Sequence, residues 1–266
     1  DWGAKGNGKK KRWWFGYLVH LIVDANYELP VAFEVTPASY GEQPVAQLLL
    51  DQLQERHPDL LETCERLSAD KGYDDSKLIE RLWDEHQIKP IIDIRNCWKD
   101  SDAEDDGVRT KLVNGQENVI YSYDGQVSCT CPRTGAQRAM DYGGFERDRN
   151  TLKYRCPARY SGITCEGMEQ CPVADAVRIK LEEDRRIFTP VARSSYDWQD
   201  YYDERSAVER VNSRLAGGYG FDHPFIRGLT KMRLRMTMSL TIMLAMALGR
   251  IQAGQPENLR SLVRPA

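Results

Sequence analysis

Leu67-Ser68-Ala69-Asp70-Lys71-Gly72-Tyr73-Asp74-Asp75, followed after one helical stretch by Lys89-Pro90-Ile91-Ile92-Asp93-Ile94, is the segment whose reading decides the fold. Leu67 to Asp70 reads as a short strand ending at a carboxylate. Lys71 to Asp75 is a turn that offers an Asp as helix N-cap. Ser76 to His86 has Leu78, Ile79, Leu82 and Trp83 spaced for one inward helix face. Lys89 to Ile94 is a second strand. Strand, turn, helix, strand is a β-α-β unit, which implies parallel neighbours. Asp70 then falls at the C-terminal end of a parallel strand, where open α/β sheets place functional groups. An Asp before a Gly turn serves equally well as a capping residue, so the local pattern leaves both readings open.

On the N-terminal side, residues 13–36 read as a hairpin. Tyr17 to Val23 is a nearly continuous apolar run and predicts a strand buried on both faces. Asp24 to Pro30 turns the chain, and Val31, Phe33 and Val35 alternate as a half-buried strand does. A helix is expected from Pro44, with Val45, Leu48, Leu49 and Leu53 on one face. On the C-terminal side, the composition changes between about Arg95 and Pro190. Gly and Cys are dense there, helical periodicity is weak, and short strands are expected at Val119–Tyr123 and Thr151–Tyr154. This is read as a β-rich insertion. Helical patterns return at Asp200–Leu215 and Arg227–Ile251. The expected organisation is therefore 1–94, 95–190 and 191–266.

The chain has 266 residues, 41 % apolar and 29 % charged, which excludes a largely disordered protein. Thirty-seven Lys and Arg against 40 Asp and Glu give a net charge of −3, so no bulk basicity advertises nucleic acid. The charge is uneven, however. Lys5, Lys9, Lys10, Lys11 and Arg12 form a basic head beside Trp13 and Trp14, suited to a DNA backbone or to a solvated tail, while Asp100 to Asp106 is acidic. The longest apolar run, Met236 to Leu248, falls short of the roughly 20 residues that span a bilayer and reads as a core helix rather than a membrane segment. The opening Asp-Trp-Gly, without initiator Met or signal pattern, suggests part of a longer polypeptide. Seven Cys in a chain of this size fit reduced thiols in the cytoplasm better than a secreted disulfide scaffold.

Tyr202, Arg205 and Glu209 are spaced i, i+3, i+7, so on one helix they project from one stripe. Arg205 and Glu209 are also an ordinary i, i+4 ion pair. The Tyr, two residues, Arg, three residues, Glu spacing resembles the signature of DDE-type insertion-sequence transposases. The setting Arg205-Ser-Ala-Val-Glu209-Arg210-Val-Asn-Ser-Arg-Leu is similar too. Trp14-Phe-Gly-Tyr17, His20-Leu-Ile-Val-Asp24, Leu29-Pro30 and Val35-Thr-Pro-Ala38 resemble that family's second and third strands. Ala69-Asp70-Lys-Gly72-Tyr73-Asp74 resembles the segment bearing its second catalytic Asp, and Arg227-Gly-Leu with the helix after it its C-terminal region.

The resemblance implies a ribonuclease H-like fold, a mixed α/β sheet flanked by helices and interrupted here by the Cys-containing insertion. It implies an enzyme that cuts DNA at insertion-sequence ends and joins the 3′-hydroxyl to target DNA. Asp70 and Glu209 would be two of three carboxylates holding two Mg²⁺ or Mn²⁺ ions, and Tyr202 and Arg205 would meet DNA phosphates. DNA is the implied partner, with a dimer on the two synapsed ends and a cytoplasmic, nucleoid-associated location. The first catalytic Asp is expected on a strand upstream of residue 1, since Asp1 precedes the basic head and Asp24 falls on the second strand. Ala216 stands where the signature's final Lys is expected, with Arg214 nearby at a different helical angle. Two rival readings are a non-catalytic DNA-binding relic of such an enzyme and a zinc-stabilised interaction module.

Cys129-x-Cys131, Cys156-Pro, Cys165 and Cys171-Pro lie in a Gly-rich β context. Four thiolates close a tetrahedral structural Zn²⁺ site, and Cys131, Cys156, Cys165 and Cys171 are the preferred set, with Cys129 spare. Without paired C-x-x-C knuckles, buried free thiols are the competing expectation. His20, His57, His86 and His223 show no ligand spacing, and His20 on its apolar strand reads as a core residue.

Overall fold

The computed structural model describes residues 1–5, 11–95, 109–222 and 225–261. The acidic stretch Asp100–Asp106, Lys9, Lys10 and His223 lie outside them. The chain divides into two compact units, Asp1–Thr63 with Glu204–Ala266, and Cys64–Asp203. Both mix helices with small sheets.

The first unit begins with an antiparallel ribbon of β1 (Trp2–Lys5) and β2 (Arg12–Phe15). The expected hairpin follows, β3 (Tyr17–Asp24) against β4 (Leu29–Pro37), with Val19 opposite Val35 and Leu21 opposite Phe33. Helices α1 (Glu42–Arg56) and α2 (Pro58–Thr63) complete this part. On α1, Val45, Leu49, Leu50 and Leu53 are buried, whereas Leu48, expected inward, is 43 % exposed. The buried stripe instead takes in Leu50, two residues on, and Leu48 falls outside it. The apolar run of β3 is not buried throughout: only His20 is fully enclosed, its ring nitrogen hydrogen-bonded to Thr36 Oγ1 at 3.0 Å. An antiparallel two-stranded ribbon leaves its flanks half open where a parallel interior strand is covered.

The second unit starts with β5 (Arg66–Ala69), α3 (Ser76–Glu80) and β6 (Lys89–Ile92). β5 and β6 are parallel, with Leu67 opposite Pro90 and Ala69 opposite Ile92. The helix after Asp75 carries Leu78, Ile79, Leu82 and Trp83 inward as expected, but it widens into a π-type turn over Arg81–Glu85. The β-rich stretch follows as a four-stranded antiparallel sheet of β7 (Thr110–Leu112), β8 (Val119–Ser122), β9 (Val127–Thr130) and β10 (Gln137–Ala139). A second sheet joins β11 (Asp141–Glu146), β12 (Thr151–Arg155) and, after the short α4 (Pro157–Tyr160), β13 (Ala176–Lys180). Trp83 and Ile94 share one core with Val119, Val127, Leu152, Tyr154, Ile179 and Phe188, so the β-rich stretch and the β-α-β unit are packed together. Burying each large aliphatic residue there contributes about 1.5–3 kcal/mol relative to exposure. α5 (Tyr196–Asp203) closes this unit.

Two helices return the chain to the first unit, α6 (Ser206–Tyr219) and α7 (Leu229–Gln252). Val211 and Leu215 of α6 and Met232, Met236, Leu240 and Met243 of α7 pack on the hairpin face formed by Tyr17, Val19, Leu21, Phe33 and Val35. By length and composition α7 could cross a membrane. One of its faces is core as expected, while Leu234, Met238, Ile242, Leu248 and Ile251 on it are exposed.

Candidate active site

Asp70 directly follows β5 and caps a single 3₁₀ turn, Lys71–Tyr73, accepting a 2.8 Å hydrogen bond from Gly72 N–H on Oδ1. Its second carboxylate oxygen has no protein partner among the described residues. Asp93 follows β6 beside it, its N–H bonded to Ala69 O at 3.2 Å, so both strands end in a carboxylate at the same edge. Asp74 is of another kind. It is buried and gripped by the Arg186 guanidinium, Nε to Oδ1 at 3.0 Å, and it also accepts Arg95 N–H at 2.9 Å. Arg193 donates to Ile92 O at 2.5 Å and to Arg186 O at 2.7 Å. Desolvation lowers its pKa to about 10, against the pull of Asp74 and Asp93, so it stays charged at neutral pH. Sequence spacing gave no sign of Arg186 or Arg193, because their partners lie about a hundred positions away.

Tyr202 sits on α5 in the same unit as Asp70. Its ring stacks on Trp198 at 4.9 Å and packs beside Ile91 and Val191. Ser68 Oγ donates to Tyr201 O at 2.8 Å, and the Arg66 guanidinium lies 4.5 Å over the Tyr201 ring. These contacts bind α5 to the strand that leads to Asp70.

The single helix expected over Asp200–Leu215 is divided. α5 stops at Asp203, and Ala207 N–H and Val208 N–H reach back only three residues, to Glu204 O and Arg205 O. Each helix is held in its own core, α5 by Trp198 and α6 by Ala207, Val211 and Leu215. Tyr202, Arg205 and Glu209 therefore do not share one continuous helical stripe: Arg205 is the N-cap position of α6 and Glu209 lies in its first turn. A carboxylate there is favoured by the helix dipole. Glu209 is exposed, and its Oε1 accepts from Arg205 Nη1 at 2.5 Å. Oε2 has no protein partner among the described residues.

Residues 1–245 match the family model described as "Transposase DDE domain". The chain belongs to that transposase family. No curated protein and no solved structure matches it. The match runs through the β-rich stretch as well as the flanking parts, and it establishes transposition and recombination of DNA as the family activity.

In this transposase the other acidic candidates are occupied locally. Asp1 accepts Trp2 N–H at 2.8 Å and the Ser39 hydroxyl at 2.5 Å. Asp24 accepts Tyr27 N–H at 2.7 Å within its turn. Arg214 is turned onto the hairpin, donating to Glu28 O at 2.6 Å, while Arg210 Nε meets Glu28 Oε1 at 2.6 Å. Glu28 is 4 % exposed with φ 55°, so this pair of Arg residues braces a turn.

Cys129, Cys131, Cys156, Cys165 and Cys171 all line one cavity in the second unit, and all are free thiols. The Thr134 hydroxyl, with the N–H groups of Thr134 and Arg133, holds the Cys131 thiol down at about 6. Burial, with Cys156, Cys171 and Cys165 close by, pushes Cys129 up to about 11. Among the described residues no group of three or more His, Cys, Asp or Glu is arranged to hold a metal ion.

Proposed function

We propose that this chain carries the catalytic machinery for metal-dependent DNA strand cleavage and strand transfer at insertion-sequence ends, within a ribonuclease H-like core. Asp70 and Glu209 are two of its three metal-holding carboxylates. The observation that carries this reading is shared by both residues. Each has one oxygen fixed, by Gly72 N–H or by Arg205, and each keeps a second oxygen without a protein partner among the described residues. A ligand oriented by an outer hydrogen bond is what a metal centre requires, and hard carboxylate oxygens suit Mg²⁺ or Mn²⁺. When bound, the ions supply Lewis-acid activation of water or a 3′-hydroxyl and stabilisation of the leaving oxygen.

The remaining roles belong to the protein's own groups. Arg205 orients Glu209 and adds positive charge where a phosphate would approach. Tyr202, braced by Trp198, gives a rigid edge beside the Asp70 strand. Asp1 and Asp24 already accept local hydrogen bonds, so neither is assigned as the third carboxylate. Two such domains would act together on synapsed DNA ends.

The test is strand cleavage of labelled insertion-sequence ends in Mg²⁺ or Mn²⁺ by the full-length polypeptide. The expected result is nicking that Asp70→Asn or Glu209→Gln each reduces by three orders of magnitude or more, on the order of 4 kcal/mol of barrier. Undiminished cleavage by either variant would refute the assignment.

A further inference from the structure

We propose that the outward face of the β1–β2 ribbon is a stacking platform for the bases of an unpaired DNA strand. This rests on the reading that the chain acts on DNA, and it adds the form of DNA that is held. In an antiparallel pair, opposite residues share a face and neighbours along a strand alternate between faces. Trp2 stands opposite Phe15 and Ala4 opposite Trp13, so these four lie on one face, while Gly3 and Trp14 lie on the other. The two faces have different surroundings. Gly3 is buried, and a Cβ on it would lie 2.5 Å from the Trp14 indole and 2.7 Å from Ala38 O. Only glycine admits that approach, so the Gly3–Trp14 face is the one packed down, beside the residue that follows β4. On the outward face Trp2 and Trp13 are each 60 % exposed and Phe15 is 70 % exposed. A two-stranded ribbon docks through one apolar face, and Trp14 already supplies it. The three outward rings are surplus to docking.

The platform is held in place from behind. Gly16 N–H donates to Asp1 O at 2.9 Å, Ala38 N–H to Gly16 O at 3.1 Å, and Ser39 Oγ to Asp1 Oδ2 at 2.5 Å, which ties the ribbon to the hairpin. Trp2 and Phe15 meet edge to face, with ring centroids 5.6 Å apart at 67°. Rings fixed beforehand lose little freedom when a ligand lies on them. Charge chooses the occupant. Lys11 Nζ lies 4.2 Å over the Trp13 ring, and Arg12 beside it is exposed. Lys5, Lys9, Lys10, Lys11 and Arg12 fall in a stretch with no Asp or Glu between Asp1 and Asp24. An apolar protein segment gains nothing from these cations, whereas a polyanion that carries flat bases matches both features. A duplex offers phosphates and base edges but keeps its base faces stacked inside, so it uses the cations and not the rings. An unpaired strand uses both, with its phosphates at Lys11 and Arg12 and its bases on the aromatic rings. Alternate side chains on a strand stand about 7 Å apart, so Phe15 and Trp13 serve different bases. Every base has a π-face, and the platform is therefore tolerant of sequence.

The 266-residue chain is titrated, by fluorescence anisotropy, with three labelled probes of equal length, about 16 nucleotides: a thymidine strand, an abasic sugar–phosphate strand and a duplex. The abasic strand keeps the charge and lacks the bases. The expected result is that the thymidine strand binds about tenfold or more tighter than the abasic one. Trp13→Ala and Phe15→Ala should each weaken thymidine binding by about 5- to 100-fold, the range of one base–aromatic stack, and leave duplex and abasic binding within about twofold. Trp13→Phe should restore most of the loss. The comparison of thymidine with abasic strand on the unaltered chain decides the matter even if a variant fails to fold. Equal affinity for those two strands would overturn the proposal, as would variants that weaken duplex and thymidine binding alike. Duplex binding without thymidine binding would reject the platform alone. Binding to none of the three would reject the DNA reading together with it.

Discussion

Asp70 and Asp74 stand four residues apart on one turn and do different work. Asp74 is buried under Arg186 and the Arg95 amide, so removing it strands a guanidinium. Asp74→Ala should therefore cost about 3–5 kcal/mol in urea unfolding. Asp70→Asn keeps an acceptor for Gly72 N–H and should leave stability within about 0.5 kcal/mol of the unaltered chain. The role of Asp74 was not legible in the sequence, because a partner 112 positions away has no local signature. His20 was legible as a core residue, and burial lowers its pKa below the ordinary 6.5 against the opposing pull of Glu34. As pH falls below about 6.5 the unfolded chain takes up that proton before the native one does. The stability that neutral His20 contributes is complete above that pH and is lost below it. His20→Gln, which retains a donor for Thr36, should flatten the fall of Tm between about pH 7 and pH 5. An unchanged slope would place the acid sensitivity elsewhere.

At the level of elements, hydrophobic period identified the β3–β4 hairpin, the β5–β6 unit and the three long helices, since each has one apolar side. It did not reveal the break between α5 and α6. Asp203-Glu204-Arg205 contains no Gly or Pro, and the helix divides because Trp198 and Val211 are anchored in different cores. Leu48 was likewise misjudged, because the buried side of α1 runs through Val45, Leu49, Leu50 and Leu53 and leaves Leu48 exposed. The end of α6 is better marked. Gly220 adopts φ +69° as its C-cap and returns its N–H to Leu215 O. Gly220→Ala should destabilise by about 1 kcal/mol, because a Cβ disfavours that conformation. On α7, Met236 is 1 % exposed against the hairpin, and Met236→Ala should cost about 2–5 kcal/mol. Urea midpoints of the two variants check both values, and equal effects would contradict the packing described.

For the whole molecule, a net charge of −3 hides a basic end that carries Lys11 and Arg12, both exposed, beside Trp13. DNA affinity should fall steeply with salt, and replacing Lys11 or Arg12 with Ala should each lower the slope of log K against log salt by about 1. The family was legible in short motifs spread along the chain, and its model spans residues 1–245. Asp70 and Glu209 belong to different compact units, and no local pattern joins them. Whether they act on one ion is therefore the central claim. Mn²⁺ affinity of the 266-residue chain, measured by electron paramagnetic resonance for the unaltered protein, Asp70→Asn, Glu209→Gln and the double variant, tests it most directly. Two ligands of one site lose their effect together, so each single substitution should weaken binding by a similar factor and the double variant should lose little more. Losses that multiply independently, or a single substitution without effect, would contradict a shared site.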